Sequence, residues 1–196
     1  FRWSQNYLDE QLEQGVKVRI ATRKLLPSYE KDSYGREAMP NLIDRSVGVG
    51  TNEDAGSEVS QLLGAKGVVS FPKPRSLLQY LINSCTAEDD IVLDFFAGSG
   101  TTGDAVWALN LADGGRRRFI LVQLPEALEP GNPDQVAARH FCHAVGRAPN
   151  LAELTKERLR RASARAKEAQ PLFAGDLGFR VLRLDSSNLN EWDTKS

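Results

Sequence analysis

The segment best suited to bind a ligand is residues 98–103, with the sequence GSGTTG. It lies between a short apolar run and a stretch with helical periodicity. Its glycines would therefore bring bare backbone, and the first N–H groups of a helix, against a bound molecule. The spacing Gly98-x-Gly100-x-x-Gly103 matches the dinucleotide-binding fingerprint, whereas a P-loop would need lysine where Asp104 stands. Three interpretations remain open: a structural turn, a nicotinamide or flavin site, and an S-adenosylmethionine site.

Two polar residues at the ends of apolar runs help to separate these interpretations. Asp94 lies four residues before Gly98, where a dinucleotide-binding strand normally has an apolar residue. A carboxylate there would repel a pyrophosphate, but it would attract the ammonium and sulfonium groups of S-adenosylmethionine. Gln123 can bond ribose hydroxyls, yet it lacks the charge that dinucleotide enzymes usually place at this position. The pattern favours S-adenosylmethionine and leaves an NAD-dependent oxidoreductase as the alternative.

The elements that must position these residues form a β-α-β unit. Residues 91–95 are an apolar run typical of a buried strand, and residues 119–124 are a second such run. Between them, residues 104–112 show a helical apolar face, and Gly114 marks the helix end. Units of this kind pair their strands in parallel. The sequence thus predicts an α/β fold with residues 98–103 at the turn from strand to helix.

The remaining periodicities extend this α/β pattern. Residues 51–58 read as a loop that leads into a helix, with Ser57 as a candidate N-cap. The predicted helices cover residues 75–85, 134–146 and 151–169, the further strands cover 16–20, 68–71 and 179–184, and turns are predicted at 26–29 and 32–35.

Composition restricts the class of protein. The chain has 196 residues, of which 41% are hydrophobic and 26% charged, values typical of a globular protein. Its net charge of −1 argues neither for nor against a polyanionic partner. The two cysteines, Cys85 and Cys142, suit a reducing cytosol, so the expected location is cytoplasmic. The sequence contains neither a signal peptide nor an apolar run of the roughly 18 residues that span a bilayer, so no membrane partner is expected.

Two further groups of residues can be interpreted either as structural features or as functional sites. His140, Cys142 and His143 lack the spaced fourth ligand of a zinc site, so packing is the preferred explanation. The cations of the helix 151–169 and the run Arg116–Arg118 are first interpreted as solvated faces, and contact with DNA phosphates is the alternative.

Several motifs together resemble a known family. Residues 94–102, DFFAGSGTT, look like the Asp-x-Phe-x-Gly-x-Gly motif of the amino-methylating DNA methyltransferases. The upstream sequence FPKP at 71–74 resembles the segment that precedes this motif in the β class. Residues 2–4, 51–53, 117–126 and 176–181 narrow the resemblance to the modification (Mod) subunit of type III restriction-modification systems.

The resemblance implies an adenine-N6 DNA methyltransferase with a Rossmann-like, S-adenosylmethionine-dependent fold. Only the C-terminal part of that fold is expected, with a mostly parallel sheet and flanking helices. Residues 1–60 would be the end of a target-recognition or linker region, and residues 61–196 the cofactor-binding part. The implied partners are S-adenosyl-L-methionine, double-stranded DNA, a restriction (Res) subunit and a second Mod subunit. The implied cofactor-binding residues are Lys73, Ser76, Asp94, Phe95, Phe96, Ala97, Gly98, Ser99, Gly100, Thr101, Thr102 and Gln123.

One element of the family is absent from these residues. The methyltransferases hold a flipped adenine against an Asp/Asn/Ser-Pro-Pro-Tyr/Phe/Trp tetrapeptide, and this sequence contains no Pro-Pro pair. In the β class this tetrapeptide precedes the cofactor motif, and the one methionine here is Met39. We therefore expect the chain to be the C-terminal part of a longer subunit, with no catalytic residue of its own. The alternative of another class is an inert cofactor-binding or structural fragment.

Overall fold

The computed structural model describes residues 4–20, 27–29, 40 and 42–184. Contacts between residues divide the chain into two units, Phe1–Asn41 and Leu42–Ser196. The assignment of residues 1–60 to a target-recognition or linker region, and of 61–196 to cofactor binding, concerns function and stays a prediction.

The described residues of the first unit form one helix and one pair of strands. Helix α1 (Gln5–Glu13) begins after Ser4, whose hydroxyl accepts a hydrogen bond from the N–H of Tyr7. Strand β1 (Val18–Ile20) pairs antiparallel with β2 (Pro27–Tyr29). The strand predicted at 16–20 is thus confirmed in its last three residues, whereas the turn predicted at 26–29 is wrong for 27–29. The turn predicted at 32–35 lies outside the described residues.

The second unit carries the predicted β-α-β motif. Strand β3 (Ile91–Asp94) and strand β4 (Arg118–Leu121) pair in parallel, with Leu93 opposite Ile120. The other elements of this unit are two short 3-10 helices, Arg45–Val47 and Pro133–Gln135, and the helices α2 (Asn52–Leu63), α3 (Arg75–Cys85), α4 (Thr101–Asp113), α5 (Val136–Ala144) and α6 (Leu151–Ala169). Helix α4 connects the two strands. It begins at Thr101, three residues before the predicted start at 104, so residues 101–103 of the predicted turn are helical, and Gly114 caps its end as the sequence predicts. The predicted helices 75–85 and 151–169 are confirmed to the residue.

Three apolar clusters hold the helices around this motif. Helices α2, α5 and α6 meet around buried side chains that include Leu63, Phe141 and Leu154. Trp107 of α4 is buried against Leu159 of α6, and its ring meets Phe119 edge-on at 5.2 Å between centroids. The third cluster joins α3 to α4. Trp107 is thus a packing residue of the second cluster.

In the second unit three local predictions are wrong, each for an identifiable reason. Helix α2 is capped by Thr51, which forms a capping box with Asp54, so Ser57 lies inside the helix. Residues 68–71 are bends because two prolines, which donate no backbone hydrogen bond, follow at once. Their apolar character reflects the burial of Val68 in the first cluster. Residues 179–184 have no ladder partner among the described residues, and Phe179 instead packs against Trp107.

The parallel strand pair is covered on one face only. Val92, Phe119 and Leu121 point towards α3, α4 and α6, where they join the apolar clusters. On the opposite face Leu93 is 49% exposed and Ile120 is 52% exposed. Apolar side chains of this size on adjacent strands form a patch of the kind that other protein surfaces cover. We call this patch, which also includes Ile91 and Val122, the bare sheet face.

The bare sheet face leads us to expect that the purified chain self-associates. Burial of the patch would remove apolar surface from water, and among the described residues β3 and β4 each have one edge without a ladder partner. Light scattering over a concentration series should show a mass above that of the monomer. The variant Ile120→Lys should shift the population towards monomer, whereas Leu172→Lys, at a site 97% exposed elsewhere, should not. A clean wild-type monomer at high concentration would contradict the expectation.

None of the helices in the described part of the chain is both long and apolar enough to cross a membrane.

Candidate functional site

The turn 98–103 requires glycine at its three glycine positions for two different structural reasons. Gly98 and Gly100 adopt φ values of 52° and 81°, a region that disfavours residues with a side chain. Gly103 is required for space, because a Cβ atom there would lie 2.8 Å from Cδ2 of Leu159. The N–H of Gly100 donates to the carbonyl of Ala97 at 2.7 Å, which closes the turn just before α4 begins. The turn is thus a specifically shaped strand-to-helix connection.

Asp94 ties together the two ends of this turn. Its carboxylate accepts a hydrogen bond from the N–H of Phe96 at 3.0 Å and another from Oγ1 of Thr102 at 2.5 Å. Phe96 begins the connection and Thr102 lies in the first turn of α4. The negative charge of Asp94 is therefore fixed at the carboxyl end of β3, beside the open side of the turn, where Phe96 is 91% exposed.

Gln123 braces the turn from the neighbouring strand. Its Oε1 accepts from the N–H of Gly98 at 2.7 Å, and its Nε2 donates to the carbonyl of Leu124 at 3.1 Å. A second backbone hydrogen bond, from Ala97 to Val122, joins the same two segments at 3.1 Å. Both ends of the Gln123 amide are thus engaged within the protein, and its predicted contact with a ribose stays a prediction.

The two predicted residues of the upstream segment lie near the start of α3. Arg75, the first residue of α3, contacts Asp104 in the first turn of α4 at 3.4 Å, so the N-terminal ends of these helices are adjacent. Ser76 accepts a hydrogen bond from the N–H of Gly50 at 2.8 Å. Lys73 is exposed, and within the described residues no hydrogen bond joins it to the turn. The start of α3, close to Lys73 and Ser76, therefore lies beside the first turn of α4, and the contacts of these two residues with a cofactor stay predictions.

Helix α6 supports the back of the turn, a role that the sequence interpretation missed. Oγ1 of Thr155 donates to the carbonyl of Gly98. Nη1 of Arg158 donates to Oγ of Ser99 and to Oγ1 of Thr101, each at 2.7 Å. The available signal was positional: Thr155 and Arg158 are polar residues on the stripe that otherwise carries Leu151, Leu154 and Leu159.

Arg158 is an almost completely buried charge. The residue is 1% exposed, and its Nη2 lies 3.4 Å from Oδ2 of Asp104, whose side chain is 7% exposed. Burial lowers the pKa of the Arg158 guanidinium, and the adjacent Asp104 opposes that shift. Asp104 also contacts Arg165 at 3.3 Å. The carboxylate of Asp104, in the first turn of α4, thus forms ion pairs with Arg75, Arg158 and Arg165.

Three further cations of α6 also have partners inside the chain. The contacts are Lys156 with Glu153, Arg160 with Glu157 at 3.3 Å, Arg161 with Glu157 at 2.9 Å, and Arg161 with the carbonyl of Leu63 at 2.7 Å. Such pairs are common on solvated helix faces. They favour the first interpretation of this helix, and contact with DNA phosphates remains a hypothesis.

Among the cations of 116–118 and the histidines and cysteine of 140–143, only Arg117 and Cys142 are buried. The solvated face predicted for the first group is therefore wrong for Arg117, and the packing predicted for the second holds for Cys142 but not for the exposed His140 and His143. Arg117 is buried and bonds Asp113 at 2.8 Å, and Arg116 bonds Asp89 at 3.1 Å. Cys142 lies inside the first apolar cluster, where burial raises the pKa of its thiol.

With the geometry in place, comparison with known proteins gives the class. Residues 50–126 match the model of a DNA methylase family. The matched segment begins at the Gly50 that contacts Ser76, includes the whole β-α-β unit, and ends just beyond Gln123. The similarity to DNA methylases thus covers the cofactor turn and both strands beside it.

The relatives narrow the class further. The chain is 37% identical over 135 residues to the StyLTI Mod subunit, a type III restriction-modification enzyme of Salmonella typhimurium, which covers 69% of this chain. It is 29% identical over 183 residues, 92% of the chain, to the EcoPI Mod subunit of Escherichia phage P1. A 71-residue stretch, 36% of the chain, is 42% identical to the type II methyltransferase M.KpnI of Klebsiella pneumoniae, of which it covers 17%. The resemblance to type III Mod subunits is confirmed, and the chain spans 19% and 26% of the lengths of the two Mod relatives.

Proposed function

We propose that this chain is the cofactor-binding part of an adenine-N6 DNA methyltransferase, the modification subunit of a type III restriction-modification system. The observation that carries the proposal is the strand-turn-helix of residues 91–113 with Asp94 fixed at the strand exit. The similarity to Mod subunits supports it independently. The corresponding fold would be a Rossmann-like methyltransferase domain, of which β3, α4 and β4 form one unit.

The charge at the turn favours S-adenosyl-L-methionine over a dinucleotide. The Asp94 carboxylate lies next to the backbone that would contact the ligand, so a cationic ammonium would be attracted there and a pyrophosphate repelled. The exposed ring of Phe96 adds an apolar surface on the same side. The residues present thus fit a ligand with an ammonium group and an apolar part, and when bound this cofactor would supply an electrophilic methyl group.

The proposed roles of the side chains follow from the resemblance to the methyltransferases. Asp94 would face the methionine amino group, and the backbone from Phe96 to Thr102 would surround the methionine and ribose. Lys73 and Ser76, which come from the start of α3, would flank the cofactor carboxylate. Gln123 would act mainly by holding Gly98, with a ribose contact as a second role.

The complete protein would act on double-stranded DNA, and a flipped adenine would meet the methyl group at this site. A Res subunit and a second Mod subunit are the proposed protein partners. The bare sheet face is compatible with this arrangement, because further strands or helices of the complete domain would cover it.

The decisive test is the affinity for S-adenosylhomocysteine measured by calorimetry. The variant Asp94→Ala should weaken binding by about 1–3 kcal/mol, the contribution of a hydrogen bond to a charged group. The matched control is Asp89→Ala, an exposed carboxylate that precedes β3 by two residues and pairs with Arg116. Unchanged affinity in a folded Asp94→Ala variant would contradict the assignment. Binding of NAD in place of S-adenosylhomocysteine would support the oxidoreductase instead.

A further inference from the structure

We propose that Thr155 and Arg158 of α6 are positioning residues for the cofactor turn. This inference rests on the function proposed above. It goes beyond it by assigning a role at the site to a helix that the methylase match, which ends at residue 126, does not include.

Thr155 sets the direction of one peptide group in the turn. Its hydroxyl carries a single proton and lies within hydrogen-bond reach of two carbonyls, those of Gly98 and Leu151. The contact holds the carbonyl of Gly98 towards α6. Because a trans peptide is planar, the N–H of Ser99 must then point away from α6, towards the side of the turn that a ligand would occupy.

Arg158 holds the hydroxyl oxygens of Ser99 and Thr101 in place by hydrogen bonds. The two protons of its Nη1 serve Ser99 and Thr101, and Nη2 is directed at Asp104. These hydroxyls accept from the guanidinium and also lie 3.3 Å from each other, so one of their protons is shared between them and the other remains available to donate elsewhere. A planar guanidinium can make these three contacts at once, which a lysine ammonium cannot do in the same geometry.

The polar contacts are distinct from those that pack the helix. Leu159 already fills the space against Gly103, and Ala162 and Ala166 continue the apolar contact with the second cluster. Nε of Arg158 is buried without a partner in the described part of the chain. The guanidinium is therefore oriented by the turn hydroxyls and Asp104, at the cost of one unsatisfied donor.

The test compares two substitutions of Thr155, each of which removes one group of its side chain. The variant Thr155→Val keeps the methyl group that contacts Gly100 and removes the hydroxyl, whereas Thr155→Ser keeps the hydroxyl and removes the methyl. We expect the Kd for S-adenosylhomocysteine to rise about fivefold to tenfold in Thr155→Val, the equivalent of one hydrogen bond. It should stay within about twofold in Thr155→Ser, because the hydrogen bond is retained. Arg158→Lys should raise the Kd at least as much as Thr155→Val.

Two readouts separate positioning from simple stabilisation. Unfolding midpoints are measured for every variant, and binding is measured well below the lowest of them. In amide NMR spectra the Ser99 resonance should shift on addition of S-adenosylhomocysteine in wild type and in Thr155→Ser, and much less in Thr155→Val.

The outcomes are distinguishable from those of the proposed function. A wild-type chain that binds no S-adenosylhomocysteine overturns that function and, with it, this inference. Binding by wild type with an unchanged Kd in Thr155→Val overturns the inference alone. Equal losses of affinity in the valine and serine variants, in step with their unfolding midpoints, would also overturn it.

Discussion

The variant Asp104→Ala is expected to lower the free energy of unfolding by about 3–5 kcal/mol, the usual cost of removing one partner from a buried ion pair. The substitution would leave the guanidinium of Arg158, which is 1% exposed, without its carboxylate. It would also release Arg75 and Arg165 from the same group. Urea unfolding followed by circular dichroism measures the change.

Two comparisons test this explanation. Asp89→Ala breaks the pair with Arg116, whose partners are both more than half exposed, and should scarcely move the unfolding midpoint. The double variant Asp104→Ala/Arg158→Met should recover part of the stability lost in Asp104→Ala, because no buried charge is left unpaired. If Asp104→Ala destabilised the chain no more than Asp89→Ala, the buried ion pair of Asp104 and Arg158 would not stabilise the fold as expected.

The second large effect concerns catalysis: the chain alone should transfer no methyl group to DNA above background. The exocyclic amine of adenine is a weak nucleophile, since its lone pair is delocalised into the ring. Holding the base in line with the methyl group can be worth about 7–11 kcal/mol of barrier. The sequence lacks the Pro-Pro tetrapeptide that would hold it.

Labelled S-adenosylmethionine and mixed-sequence duplex DNA provide the assay, and a complete adenine methyltransferase in the same buffer is the positive control. Binding of S-adenosylhomocysteine by the same preparation would show that a negative result does not come from an unfolded chain. Label on adenine would mean that residues among these 196 position the base, and the expectation of an incomplete catalytic site would be wrong.

The central motif was predictable because its determinants are local. Two apolar runs, the glycines between them and the Gly114 stop signal all lie within residues 91–124, and they specify a parallel β-α-β unit without reference to the rest of the chain. Helix α6 was equally clear as a helix from its leucine stripe. Its contact with the cofactor turn was not predictable, because the hydrogen bonds of Arg158 to Ser99 and Thr101 depend on tertiary packing that no local pattern encodes.

The two incorrect strand predictions share one physical origin. Residues 68–71 and 179–184 have the apolar content of strands, but a strand also needs a neighbour to receive its hydrogen bonds. In this chain Val68 and Phe179 use their apolar side chains to fill gaps between helices. At α2 the error was one of choice among caps, because Thr51 and Ser57 are both acceptable N-cap residues and only Thr51 has Asp54 three positions later.

The support of the turn by α6 has a consequence for the order of events during protein synthesis. Arg158 follows Ser99 by 59 residues, and Thr155 follows Gly98 by 57. At about 5–20 residues per second, a ribosome would need roughly 3–12 s to make α6 after it has made the turn. During that interval β3 and β4 can already pair and α4 can already form. The Gly98 carbonyl and the Ser99 and Thr101 hydroxyls still lack their partners on α6. The nascent chain would therefore acquire its supersecondary structure before its binding competence, and release of α6 from the exit tunnel would be the step that joins the two.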